Sequence, residues 1–143
     1  VWFNFRQDDD WQSLNTRESW AGKRVLVFAL PGAFTPTCSS QQLPGYEELY
    51  NDFQEAGIDE VYCLSVNDSF VMNAWFEHQN ITWIRPLPDG NGDLAVQLGM
   101  ILNSCTNQNR RQSGFHGHFS IYYLIAYVVA SFIWNSKLIS HSF

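Results

Sequence analysis

Val25-Leu26-Val27-Phe28-Ala29-Leu30 is an apolar run with no polar interruption, preceded by Ala21-Gly22-Lys23-Arg24 and followed by Pro31-Gly32. The run is continuous and bounded by turn residues. It therefore predicts a strand covered on both faces, with turns at either end. Such a strand needs a layer on each side of its sheet, and the following residues supply the elements. Glu60 to Val66 (EVYCLSV) reads as a second strand. Ile81-Thr82-Trp83-Ile84 reads as a short third strand, ended by Pro86-Leu87-Pro88-Asp89-Gly90. Between the first two strands, Tyr46, Leu49, Tyr50 and Phe53 fall at i, i+3, i+4 and i+7, one apolar stripe of a helix closed by Gly57. Pro44 inside that segment should kink or restart the helix. Asp68 is placed to cap a helix whose stripe includes Val71, Ala74 and Trp75. A short helix over 93–98 is stopped by Gly99. The alternation of strand and helix predicts an α/β sheet with helices on both faces. Residues 1–19 read as polar and irregular, with the acidic run Asp8-Asp9-Asp10 as a solvated loop.

In sheets of this kind, reactive groups belong beyond the carboxyl ends of the strands. Cys38 stands there, at the end of Pro31-Gly32-Ala33-Phe34-Thr35-Pro36-Thr37-Cys38 and directly before the helical pattern. A free thiol, with a pKa of about 8.5, is a weak nucleophile until it ionises. The first turn of a helix favours the thiolate through unpaired N–H groups and the positive end of the dipole. Thr35 brings a hydroxyl within reach, while Pro31 and Pro36 stiffen the loop and remove competing donors. A bare cysteine in a turn is more often a small buried hydrophobe. The neighbouring threonine, the two prolines and the strand–loop–helix setting point instead to a nucleophile.

Composition excludes several other functions. The chain of 143 residues has room for one domain over 1–143, and its net charge of −6 argues against a nucleic-acid surface. Three cysteines, at 38, 63 and 105, form no CxxC pair and no disulfide framework. They suit a reducing compartment, and a cytoplasmic location is expected. Gly90-Asn91-Gly92 lacks the spacing of a dinucleotide loop and reads as a turn. His116 and His118 with Cys105 want a fourth partner for a metal, so no metal or other cofactor is expected. His78 reads as an exposed residue on a helix face, and no Ser–His–Asp arrangement is evident.

The spacing Pro-x3-Thr-x2-Cys resembles the peroxidatic signature of the peroxiredoxins. The longer PGAFTPTCS, followed by Leu43-Pro44-Gly45, is similar to their type II (fifth) class, including the peroxiredoxin part of bacterial peroxiredoxin–glutaredoxin hybrids. The likeness continues through Val61-Tyr62-Cys63-Leu64-Ser65-Val66-Asn67-Asp68-Ser69-Phe70-Val71-Met72-Asn73-Ala74-Trp75, Pro88-Asp89-Gly90-Asn91-Gly92 and Leu98-Gly99-Met100. It is strong over 21–102 and weak over 1–20. The resemblance implies a thioredoxin-like α/β fold, with a central mixed sheet flanked by helices. It implies reduction of hydrogen peroxide and alkyl hydroperoxides through a Cys38 sulfenic acid. Thr35, the N–H groups of Thr37 and Cys38, and a guanidinium would stabilise charge moving onto the departing oxygen. Pro31 would help to shield the thiol. Arg111 is the best match for the family's arginine and Arg110 the next, a solvated basic pair being the competing reading. Cys63 matches the resolving cysteine of plant-like members, or else packs in the core with an external thiol resolving. Cys105 is a further candidate. Glutathione with glutaredoxin is the first expected reductant, thioredoxin the second, and a homodimer the expected assembly.

Beyond Leu102 the likeness fades. Arg110-Arg111-Gln112-Ser113-Gly114-Phe115 is a faint echo of the family's Arg-Ser-x-Arg strand, and Phe119 to Trp134 runs without charge or turn signal. A membrane anchor needs about 20 apolar residues, so this run reads as buried strands or as a tail foreign to the family rather than an anchor. The C-terminal part is thus expected to be atypical or incomplete. A damaged thioredoxin-like paralogue acting as a binding protein is the alternative to a peroxidase.

Overall fold

The computed structural model describes residues 1–7, 10–99, 101–103, 119–121 and 128–131, the last three segments as backbone alone. The element order is β1 (Trp2–Gln7), β2 (Asp10–Asn15), α1 (Thr16–Ser19), β3 (Arg24–Ala29), a π turn (Cys38–Gln42), α2 (Leu43–Glu48), α3 (Tyr50–Glu55), β4 (Glu60–Ser65), α4 (Ser69–His78), β5 (Arg85–Pro88), α5 (Asp93–Gln97), β6 (Ile101–Asn103), β7 (Phe119–Ile121) and β8 (Val128–Ser131).

The central sheet has the order β5-β4-β3-β8. β3 pairs with β4 in parallel, β4 with β5 in parallel, and β8 runs antiparallel to β3, so the sheet is mixed. β3 follows its predicted bounds to within a residue, and its side chains divide by period. Val25, Val27 and Ala29 enter one core with Phe3, Trp20, Tyr62, Leu64, Leu87 and Ala95. Leu26, Phe28 and Leu30 enter the other with Cys38, Leu43, Val61, Cys63, Met72, Trp75, Phe76 and Ile84. The first face is covered by β1, α1 and α5, the second by the π turn, α2, α3 and α4. This is why the run from Val25 carries no polar residue: both of its faces are dry.

Four expectations need correction. Residues 1–19 are not irregular: β1 and β2 form an antiparallel hairpin in which Gln7 faces Asp10, and α1 follows, capped by the Asn15 side chain. Phe3 alternates inward while Trp2 and Trp11 stay exposed, and aromatics on both faces hide the period. Asp8 and Asp9 lie outside the described residues. The third strand is Arg85–Pro88, not 81–84. Pro86 and Pro88 lack an N–H, but among the described residues β5 pairs only with β4, and an edge strand accommodates proline. The N–H groups of Thr82 and Trp83 instead donate to Glu47 Oε1 at 2.7 and 2.9 Å, and that of Ile84 to Oε2 at 3.1 Å. One carboxylate thus holds a bend that the sequence alone presents as a strand.

The stripe closing at Gly57 is broken at Leu49, which separates α2 from α3 and is 47% exposed. Tyr46, Tyr50 and Phe53 keep to the core side, with Tyr46 stacked on Phe28 at 3.7 Å between ring centroids. In α4 the buried face is Ser69, Met72, Trp75 and Phe76, so Ala74 is exposed and the stripe is turned from the expected one. The bulk of Trp75 and Phe76 decides which way the helix rolls, because they remove the most apolar area from water. Other expectations hold: Asp68 Oδ1 accepts from the Val71 N–H at 2.9 Å, Pro44 sits in the first turn of α2, and Gly57 and Gly99 end their helices at positive φ. In the apolar run after His118, β7 and β8 are strands, and no helix among the described residues is long and apolar enough to cross a membrane.

Candidate active site

β3 delivers the chain to the carboxyl edge of the sheet, where the Leu30 N–H still donates to the Leu64 carbonyl at 2.9 Å. Pro31 to Thr37 then turns the chain back over the second face. Phe34 holds a left-handed backbone at φ 60, a conformation that costs a residue with Cβ about 1–2 kcal/mol. The turn is held by its own hydroxyl: Thr35 Oγ1 donates to the Gly32 carbonyl at 2.7 Å. A second tie comes from outside it, the Ala33 N–H donating to Asn67 Oδ1 at 2.9 Å. The Thr35 carbonyl accepts from the Ser39 N–H at 3.0 Å, the first helical bond. Pro36, Thr37 and Cys38 therefore occupy the first turn, where Pro36 has no N–H and those of Thr37 and Cys38 come ahead of any intrahelical partner.

Cys38 is 2% exposed and opens the π turn, whose closing bond runs from the Leu43 N–H to the Cys38 carbonyl. Pro44 follows at once, and a residue without an N–H is tolerated in the opening turn of α2. The buried indole of Trp75 donates through Nε1 to Ser39 Oγ at 2.9 Å, fixing the π turn to α4. Phe34 projects outward, 52% exposed, with its ring 5.9 Å from that of His78, the exposed last residue of α4.

Cys63 faces the same core from β4, paired in register with Phe28 and Pro86. Both thiols are free. Burial pushes the Cys63 thiol well above its ordinary value, and the charge at Cys38 adds to that rise. Cys63 thus stands as a protonated thiol in a dry core. Cys105, Arg110, Arg111, His116 and His118 lie outside the described residues. The geometry accordingly brings together Pro31, Thr35, Thr37 and Cys38, with Cys63 behind them in the core.

Sequence reasoning missed Asn67 and the Trp75–Ser39 link. Asn67 is 34 residues from its partner Ala33, and no local pattern reports a contact of that range.

Comparison with known proteins agrees with this geometry. The family model described as Redoxin matches residues 3–115. Peroxiredoxin y4vD of Sinorhizobium fredii is 52% identical over 92 residues, which are 64% of this chain and 49% of that protein. Hybrid peroxiredoxin hyPrx5 of Haemophilus influenzae is 49% identical over 102 residues, 71% of this chain and 42% of that protein. Peroxiredoxin-2D of Arabidopsis thaliana is 40% identical over 100 residues, 69% of this chain and 62% of that protein. The chain spans about half the length of the bacterial relatives it matches. Among solved structures, reduced Prx3 from Vibrio vulnificus in complex with hydrogen peroxide superposes with a TM-score of 0.72 and 36% identity, over 85% of this chain and 71% of that one. The thioredoxin-like arrangement, a mixed sheet flanked by helices, is therefore present.

Proposed function

The chain belongs to the Redoxin family, and on that footing we propose that it is a thiol-dependent peroxidase with Cys38 as its nucleophile. The observation that carries this reading is Cys38 itself, set in the first helical turn behind Pro31, Thr35 and Pro36 at the carboxyl end of a parallel strand. Peroxiredoxins of about 50% identity over 92 residues support it.

The Cys38 thiolate attacks the distal oxygen of ROOH. A sulfur–oxygen bond forms, the O–O bond breaks, and RO⁻ leaves and is protonated to ROH. Cys38 is left as a sulfenic acid. A thiol then condenses with it to a disulfide and releases water, and a second thiol restores Cys38. The balance is ROOH plus two thiols giving ROH, a disulfide and water.

The N–H groups of Thr37 and Cys38 are the donors aimed at charge growing on the departing oxygen. Thr35 plays a different part from the donor role its resemblance implies. Its proton goes to the Gly32 carbonyl, which can only accept, so its oxygen is left to accept the peroxide O–H. The guanidinium is assigned to Arg111, with Arg110 as the second choice, on the likeness of that segment to the family's arginine strand. Cys63, buried and protonated, is a poor resolving thiol, so the resolving thiol is external. Glutathione with glutaredoxin is the first choice, the hybrid relative being the support, and thioredoxin the second. Two free thiols suit a reducing compartment, and the cytoplasm is the proposed location. A homodimer is the proposed assembly. The alternative, an impaired paralogue that only binds, has no support among the relatives, whose names are those of peroxiredoxins.

The test is hydrogen peroxide turnover with glutathione plus glutaredoxin, and separately with thioredoxin, beside a Cys38→Ser control. Turnover lost in the control supports the reading. No turnover with either reductant, or turnover surviving in Cys38→Ser, overturns it.

A further inference from the structure

We propose that Asn67 is a positioning residue for the peroxide reaction, acting on the Cys38 turn through the Ala33 amide; this rests on the peroxidase reading above. Asn67 Oδ1 accepts two hydrogen bonds, from the Ala33 N–H at 2.9 Å and from Ser65 Oγ at 2.8 Å. A backbone N–H can only donate, so the side-chain oxygen, not its NH₂, must face the turn. Ser65 is fully buried at the end of β4 and orients that oxygen from behind. The Asn67 backbone is held on both sides, by β4 before it and by Asp68, the cap of α4, after it. Its carbonyl also lies close under Gly90, where a Cβ would meet it at 3.5 Å. The acceptor is thus mounted on the rigid part of the sheet.

What it holds is the weak point of the turn. Ala33 immediately precedes Phe34, the residue in the left-handed conformation, and Thr35 and Cys38 follow within the next turn. Without an anchor on Ala33, Phe34 is free to relax toward ordinary backbone angles. That relaxation moves the Thr35 oxygen and the first-turn amides relative to the thiol. The Thr35–Gly32 bond does not prevent it, because both of its partners belong to the turn that moves. Asn67 touches neither peroxide nor sulfur and sets where they meet.

The experiment compares two reactions of Cys38 in the full 143-residue chain: reduction of hydrogen peroxide, which needs the arranged donors and acceptors, and alkylation by iodoacetamide, which needs only the thiolate. Their ratio cancels any change in the thiolate fraction. In Asn67→Ala the ratio should fall about tenfold or more, since a misplacement of order 1 Å in a reacting geometry costs up to about 10²-fold. Exchange of the Ala33 amide hydrogen should accelerate in the same variant. Asn67→Asp keeps an acceptor for both donors, so its ratio and its Ala33 protection should stay near those of the parent. An unchanged ratio in Asn67→Ala, or a ratio in Asn67→Asp as low as that of Asn67→Ala, overturns the proposal. If Asn67→Ala does not fold, Asn67→Asp against the parent decides alone: a kept ratio supports the role and a lowered one overturns it. A parent without peroxide activity would refute the peroxidase reading instead. The tether itself would then stand or fall on the Ala33 exchange rates.

Discussion

At the scale of single residues, two thiols in one core are set apart by their surroundings. Cys38 opens a helical turn beneath a loop, whereas Cys63 sits in mid-strand where burial holds its proton. One equivalent of hydrogen peroxide followed by dimedone should therefore label Cys38, read by peptide mass spectrometry. An adduct mainly on Cys63 would remove the assignment. Thr35 invites a smaller effect than an oxyanion donor would. Because its proton is committed to Gly32, Thr35→Val removes one acceptor for a neutral O–H, worth about 0.5–1.5 kcal/mol, a slowing of roughly two- to tenfold. Thr35→Ser should keep the parental second-order rate constant. A slowing of several hundredfold in Thr35→Val would show that the hydroxyl turns and donates during the reaction.

At the scale of elements, side chains at the ends of helices and strands decide what propensity leaves open. Glu47 is the clearest case, a carboxylate on α2 gathering three successive backbone N–H groups from the bend before β5. Glu47→Ala leaves those donors to water where the bend is exposed and unpaired where it is not. The expected loss is about 1–3 kcal/mol of stability, read as a lower midpoint in urea. Glu47→Gln offers one acceptor oxygen in place of two and should fall between. If Glu47→Ala unfolds at the parent's midpoint, the bend is held by its packing alone. Elements were legible to different degrees for physical reasons. β3 and β4 announce themselves because both faces are dry, and α4 because Asp68 caps it. β5 is hidden by its prolines, which only an edge position tolerates. The hairpin is hidden because Trp2 and Trp11 put large apolar rings on its wet face.

At the scale of the molecule, one network ties the start of β3 to β4 and β5 across the sheet. Glu60 accepts from Lys23 at 2.6 Å and from the Tyr62 hydroxyl, and lies 4.0 Å from the Arg85 guanidinium. Burial pushes the Glu60 carboxyl up, but the hydrogen bonds of Lys23 and Tyr62 and the charges of Arg85 and Lys23 together bring it below its ordinary value of 4.5. A carboxylate with a depressed folded pKa stabilises the fold at pH values above the unfolded one. That contribution is lost as the pH falls through the folded value. Tyr62 is the mirror case: burial, and then its bond to Glu60, push it from 10.0 up to about 12. Its contribution is whole below pH 10.0 and is lost as the pH rises through about 12. The urea midpoint of the parent should drop more steeply below pH 4.5 than that of Glu60→Gln. Parallel acid profiles for the two would exclude this network as a source of acid sensitivity.

From the chain alone came the α/β class, the Cys38 turn and the caps at Asp68, Gly57 and Gly99, because each is written in neighbouring residues: unbroken apolar runs, a capping side chain, a glycine where φ turns positive. Tertiary structure decided what depends on distant partners. The roll of α4 follows from which face the sheet presents, and the bend at 81–84 from a carboxylate one layer away. The direction of the Thr35 proton follows from a carbonyl brought close by the turn, and the protonation of Cys63 from a core that both halves of the described chain must assemble. The anchor at Asn67 belongs to the same kind. Its oxygen meets Ala33 only because β3 and β4 lie side by side in parallel, which ends both strands at the same edge of the sheet.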